Sequence, residues 1–216
     1  MAGAADEIAV LGEEVPLLEG IRTTRSIRRL KSDPVDPALI RKVCEAGTFA
    51  PSGGNRQPWI FVAVMDPERR AWIAERYGAA FSAYLANAQR AMDADPNFPE
   101  AKKRNLRSAK HLADHLHEVP VHLFIAGWQR GGRDQGQALY PCAQNVLLAC
   151  RAVGLGASLT MLHRVHGEEI DRYLGLDHEK TPTAALIPIG WPLGRYGQPP
   201  RRPVDESLHF DRFEQP

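Results

Sequence analysis

The segment Ala50-Pro51-Ser52-Gly53-Gly54-Asn55-Arg56-Gln57-Pro58-Trp59 can continue neither a helix nor a strand. Pro51 stops whatever helix precedes it, two glycines free the backbone, and Pro58 closes the stretch before a wholly apolar run, Ile60 to Val64. The chain must therefore go from helix to flexible loop to a short strand covered on both faces. Two helix starts frame this unit. Asp36-Pro37 and Asp66-Pro67 each offer an N-cap carboxylate followed by proline at the first helical position. Leu39, Ile40, Val43 and Ala46 recur at helical spacing, which predicts a helix over 37–49, a strand over 59–65, and a second helix from 67 to about 86.

Beyond a break at 93–99, a helix rich in Lys, Arg and His is expected over 100–117, then a buried strand over 119–126 and a polar loop over 127–136. The helix expected over 137–153 is apolar most of the way round, which points to the centre of the fold or to a subunit interface. Strands over 154–160 and 184–190, with a short helix at 167–174 between them, bring the strands to four. A short helix is expected over 15–22, after a mobile leader at 1–14. Helices and strands mix without a regular βαβ repeat, so the fold class is α+β. The tail from Pro192 onward has four prolines among its first twelve residues and few large apolar side chains, so it must lie on the domain or on a partner chain.

A chain of 216 residues suits one domain with its own core. A formal charge of +1 gives no reason to expect nucleic acid or an anionic membrane as partner. No stretch reaches the ~18 apolar residues of a membrane helix, and no secretory signal is legible, so a cytoplasmic location is expected. Cys44, Cys142 and Cys150, an odd number without a C-x-x-C pair, read as reduced packing residues. His111 and His115 lie four apart but lack the glutamate of a zinc-protease helix, so no metal site is expected there.

The residues that carry chemistry lie elsewhere. Arg25, Ser26 and Arg28 put two guanidiniums and a hydroxyl within four residues, a grouping suited to a phosphate monoester. The loop downstream offers approachable backbone N–H groups and fixed amides for a planar hydrogen-bonding ring. Phosphate and ring together describe a mononucleotide such as FMN.

These segments also resemble a known family. Thr24-Arg25-Ser26-Ile27-Arg28 is similar to the R-R-S-x-R motif of the nitroreductase superfamily, Ala50 to Trp59 to its A-P-S-(S/G)-x-N-x-Q-P-W signature, and Gly190-Trp191-Pro192 with Arg201-Arg202-Pro203-Val204 to its closing element. The resemblance implies a central, mostly antiparallel sheet flanked by helices, in an intertwined homodimer with FMN at the interface. It implies FMN contacts from Arg25, Ser26, Arg28, Pro51, Ser52, Gly53, Asn55 and Arg201, with Leu159, Thr160 and Met161 passing the reactive edge of the flavin. Position 24 departs from the pattern, because Thr stands where a first Arg is common; one phosphate contact is lost or passes to the Thr hydroxyl. The domain spans 15–206, with a variable lid around 85–117 and a tail at 207–216. NADH or NADPH would reduce the flavin, and a nitroarene or quinone would take the hydride in a ping-pong cycle with no catalytic side chain of its own. Two readings stay beside this one: a reductive dehalogenase similar to iodotyrosine deiodinase, and a flavin-storage protein without turnover. Ser26, where flavin-cleaving enzymes of cobamide synthesis carry Asp, speaks against that branch.

Overall fold

A computed structural model describes residues 15–128 and 136–213; the expected leader at 1–14 and most of the loop expected over 127–136 lie outside them. Six helices are described: α1 Leu17–Thr23, α2 Pro37–Thr48, α3 Pro67–Ala94, α4 Glu100–His115, α5 Gly136–Ala152 and α6 Gly167–Tyr173. The strands are β1 Trp59–Val64, β2 Val121–Gly127, β3 Gly156–Ala157 and β4 Thr183–Gly190. They form one antiparallel sheet in the order β1-β2-β4-β3, which is the α+β arrangement expected.

Both proline-led helices start as their sequences require. Asp36 Oδ1 accepts the amide of Ala38 at 2.8 Å and Asp66 Oδ1 that of Arg69 at 2.9 Å. α3 runs to Ala94 rather than to about 86, because Ala86 to Ala94 holds good helix formers and no breaker before Asp95-Pro96. The strand expected over 154–160 shrinks to Gly156–Ala157 plus a single bridge between Thr160 and Leu186. The cause lies at Gly156, whose missing Cβ would stand 2.6 Å from Leu30 Cδ2 and 2.9 Å from Ile27 Cγ2. A neighbouring segment, not a further strand, fills that edge.

β2 and β4 are buried along their whole length, as their apolar runs demand. Alternation splits their side chains between two cores. Leu123, Ile125, Ile187 and Ile189 meet Leu39 and Val43 of α2 and Leu139, Val146 and Cys150 of α5. Phe124 and Leu186 meet Ile73, Tyr77 and Phe81 of α3 and Leu112 of α4. The three cysteines are free thiols; Cys142 and Cys150 are buried, Cys44 partly so, and burial pushes Cys44 up to about 11.

Candidate functional site

The Arg25 turn is held in place from two sides. The Ile27 amide donates to the Ala157 carbonyl at 2.9 Å, beside β3. Further on, Leu30 bridges Pro192, the Lys31 amide donates to Trp191 at 2.8 Å, and the Leu193 amide donates to Arg29 at 3.0 Å. The N-terminal turn and the C-terminal segment that leads to Arg201 are thereby fastened to the same edge of the fold.

Between them lies a cavity of about 230 Å³ whose walls include Arg25, Ser26, Leu159 and Arg201. Four residues from the expected set thus converge, though Arg201 lies more than 170 positions beyond Arg25. Thr24 lines it too, while Arg151, Gln144 and Leu147 of α5, with Ser158 and Tyr196, also line it and were not singled out from the sequence. Among the described residues no carboxylate lines it, so the charged groups of its wall are all arginines. Two hydroxyls in it are buried and lack a hydrogen-bond partner among the described residues: Ser158 Oγ and Tyr196 Oη. Burial pushes the Tyr196 phenol up to about 12, against the opposing pull of Arg151, so it is a neutral donor at ordinary pH. A buried donor left unpaired costs ~1–3 kcal/mol, so this cavity favours an acceptor-rich anion. A phosphate monoester has that chemistry: two negative charges and oxygens that accept from guanidinium and hydroxyl alike.

The other expected residues sit apart. Arg28, two turn positions beyond Ser26, is not in the cavity wall; burial lowers its pKa, and Tyr77 and Tyr84 oppose that shift. Thr160 turns the same way, its hydroxyl 3.1 Å from Tyr77 Oη. Its amide and carbonyl exchange hydrogen bonds with Leu186 at 2.9 Å each. Met161 is half exposed and its sulfur receives the Tyr140 hydroxyl at 2.9 Å. Thr24 does line the cavity, but its hydroxyl donates to the Gly20 carbonyl at 2.6 Å, so its proton is already committed.

Pro51, Ser52, Gly53 and Asn55 lie on an exposed loop, also outside the cavity wall. Ser52 Oγ accepts the Gln57 amide at 3.0 Å, and the Gln57 side-chain amide donates to Asn55 Oδ1 at 3.2 Å. Part of the polarity read as ligand-binding holds the loop's own shape. That shape carries left-handed backbone at Gly54 (φ 62°), Asn55 (φ 51°) and Gln57 (φ 48°). For Gln57, which has no short polar side chain to favour it, such a backbone costs ~1–2 kcal/mol. Among the described residues no group of three or more His, Cys, Asp or Glu is arranged to hold a metal, and no helix is long and apolar enough to cross a membrane.

Comparison with known proteins places this geometry. The chain is 33% identical over 189 residues to a NADH dehydrogenase of Thermus thermophilus, covering 78% of this chain and 82% of that one. It is 28% identical over 198 residues to a 5,6-dimethylbenzimidazole synthase of Rhodospirillum rubrum, covering 83% and 87%. A crystal structure from Desulfovibrio desulfuricans, described as a nitroreductase in complex with FMN, superposes with a TM-score of 0.66 at 26% identity, over 93% of this chain and 99% of that chain. The fold is also that of an iodotyrosine deiodinase crystal structure, with a TM-score of 0.73 at 19% identity over 92% of this chain and all of that chain. The sequence model of the Nitroreductase family matches residues 21–191. With the family model matching residues 21–191 and a relative 33% identical over most of both chains, this chain belongs to the nitroreductase family.

Proposed function

We propose that the chain is an FMN-dependent oxidoreductase that moves a hydride from NADH or NADPH to a small aromatic or conjugated acceptor such as a nitroarene or quinone. The observation that carries this reading is the carboxylate-free cavity in which Arg25, Ser26 and Arg201 meet unpartnered hydroxyls. Family membership and the FMN-bound Desulfovibrio relative support the choice of anion. Arg25 and Arg201 would grip the phosphate through their planar forks, and the Ser26 hydroxyl would donate to it. Leu159 would lie along the bound molecule, as it lines the same wall. Because Thr160 spends its amide on Leu186, the neighbouring amides of Leu159 and Met161 would point the opposite way, toward a ring edge. Bound FMN would supply hydride transfer between reduced nicotinamide and acceptor, each using the same face in turn, hence ping-pong kinetics.

A homodimer belongs to the same proposal. Leu17, Leu18 and Ile21 on α1 and Phe210 and Phe213 in the tail are exposed apolar side chains. Leu147 and Leu148 of α5 are only partly covered. A second copy that covered them would bury more than ~2,000 Å². It would also give the exposed Pro51, Ser52, Gly53 and Asn55 loop a flavin to meet, which one chain alone does not. The segment around 85–117, the end of α3 with α4, would then act as the lid over the acceptor.

Anaerobic reduction tests the reading. Yellow protein should bleach with NADH or NADPH and recolour when a quinone or nitroarene is added. Flavin that stays oxidised with either nicotinamide would favour a storage role instead.

A further inference from the structure

The FMN reading leaves one cation unused. Arg151 is the sole charged residue of α5, the otherwise apolar and neutral helix. It is placed with unusual firmness for a surface-forming arginine. Its Nε donates to Thr23 Oγ1 at 2.8 Å, and its guanidinium carbon stands 4.3 Å over the Tyr196 ring. The Nη nitrogens have no hydrogen-bond partner among the described residues, and the side chain lines the same cavity as Arg25 and Arg201. Those two are exposed, whereas Arg151 is half buried.

We infer that Arg151, oriented by Thr23 and Tyr196, is a third phosphate-binding cation of this cavity and takes the place of the arginine missing at position 24. The inference rests on the FMN reading above and names the residue that completes its phosphate site. The Thr24 hydroxyl does not fill the gap, because its proton goes to Gly20. Arg151 lies on the same wall and presents two nitrogens in a fixed plane, the geometry that matches two oxygens of one phosphate. Stacking on Tyr196 settles the guanidinium before the anion arrives, so little side-chain freedom is lost on binding. Tyr196 then plays two parts. Its ring carries Arg151, and its buried hydroxyl, neutral and unpartnered, has an acceptor once the phosphate is present. Ser158, 1% exposed with an unpartnered hydroxyl, gains an acceptor in the same event.

The test compares FMN with riboflavin, which differ only in the phosphate. Dissociation constants for both are measured by flavin-fluorescence titration of cofactor-stripped protein, for the wild type, Arg151→Gln and Tyr196→Phe. Arg151→Gln should lower the preference for FMN over riboflavin by ~10–100-fold, the worth of a charge-assisted hydrogen bond. Riboflavin binding itself should change little. Tyr196→Phe keeps the ring under the guanidinium and removes one donor, so the preference should fall by only ~3–10-fold. If Arg151→Gln does not fold, Tyr196→Phe decides alone. An unchanged preference in the folded variants overturns the inference and leaves the FMN reading standing. A wild type that binds neither flavin overturns the FMN reading itself.

Discussion

Two buried histidines should make this fold acid-labile well above the range where carboxylates titrate. His122 in β2 and His163 in the turn after Met161 are fully buried. His122 Nε2 donates to the Leu116 carbonyl at 2.8 Å; His163 Nε2 donates to Thr183 Oγ1 at 3.0 Å, whose own proton goes to Asp171 Oδ1 at 2.7 Å. That leaves each Nδ1 buried and without a partner among the described residues, so a second proton would find no acceptor there. Burial accordingly pulls His122 from 6.5 to about 4 and His163 to about 3. Above pH 6.5 both rings are neutral in either state and contribute no pH dependence. Below it the unfolded chain takes up protons that the folded chain refuses, so stability falls until the pH passes through the folded values. Each ring approaches ~1.4 kcal/mol per pH unit well below 6.5, so two rings together remove ~3 kcal/mol between pH ~6.5 and ~5. That is a large part of a typical ~5–15 kcal/mol. Urea unfolding of cofactor-free protein, at one fixed protomer concentration and three pH values, measures it. His122→Gln keeps the bond to Leu116, removes one titration and should halve the slope. A stability that is flat between pH ~7.5 and ~5, or a slope unaltered in His122→Gln, would refute the reasoning.

Gly156→Ala should cost ~1–3 kcal/mol by overpacking, since its Cβ meets Leu30 and the stiff Ile27. Because Ile27 belongs to the Arg25 turn, FMN affinity should fall as well, seen in one titration. Asp171→Asn disturbs a buried carboxylate that accepts from the Thr183 amide at 3.1 Å, the Thr183 hydroxyl at 2.7 Å and His178 at 2.6 Å. A loss of ~2–3 kcal/mol is expected from the urea midpoint, and no loss would show that the network carries no net stability. Arg28→Met should leave the FMN-to-riboflavin affinity ratio unchanged, because Arg28 does not line the cavity. A selective loss of FMN binding would place it back with the phosphate.

Local chemistry was legible where it stands in consecutive residues. The Asp-Pro caps fixed two helix starts to the residue, and the apolar runs of β2 and β4 marked strands buried along their length. β1, at the sheet edge, is only partly covered, although its apolar run predicts cover on both faces. The end of α3 was not legible, because nothing between Ala86 and Ala94 differs in propensity from the helix before it. The brevity of β3 depends on Leu30 and Ile27 pressing on Gly156, a contact across about 130 residues that no window reveals. The site divides the same way. Arg25, Ser26 and Arg201 could be read from ordered motifs, and the fold does gather them. Arg28 sits two residues from Ser26 yet is absent from the cavity wall, which its place in the motif does not reveal. Ser158 and Tyr196 carry no pattern that marks them. Arg151 had one available signal: it is the lone charge on an apolar helix, at the end facing the glycine-rich turn.

The account stands on guanidiniums from opposite ends of the chain meeting one flavin phosphate. A titration of stripped protein with FMN, comparing the wild type with Arg25→Ala/Arg201→Ala, measures this meeting. The wild type should bind one FMN per chain, and the double variant should lose at least ~100-fold in affinity for FMN while holding riboflavin nearly as well as before. Protein that stays colourless in excess FMN, or a double variant that binds FMN as tightly as the wild type, would contradict it.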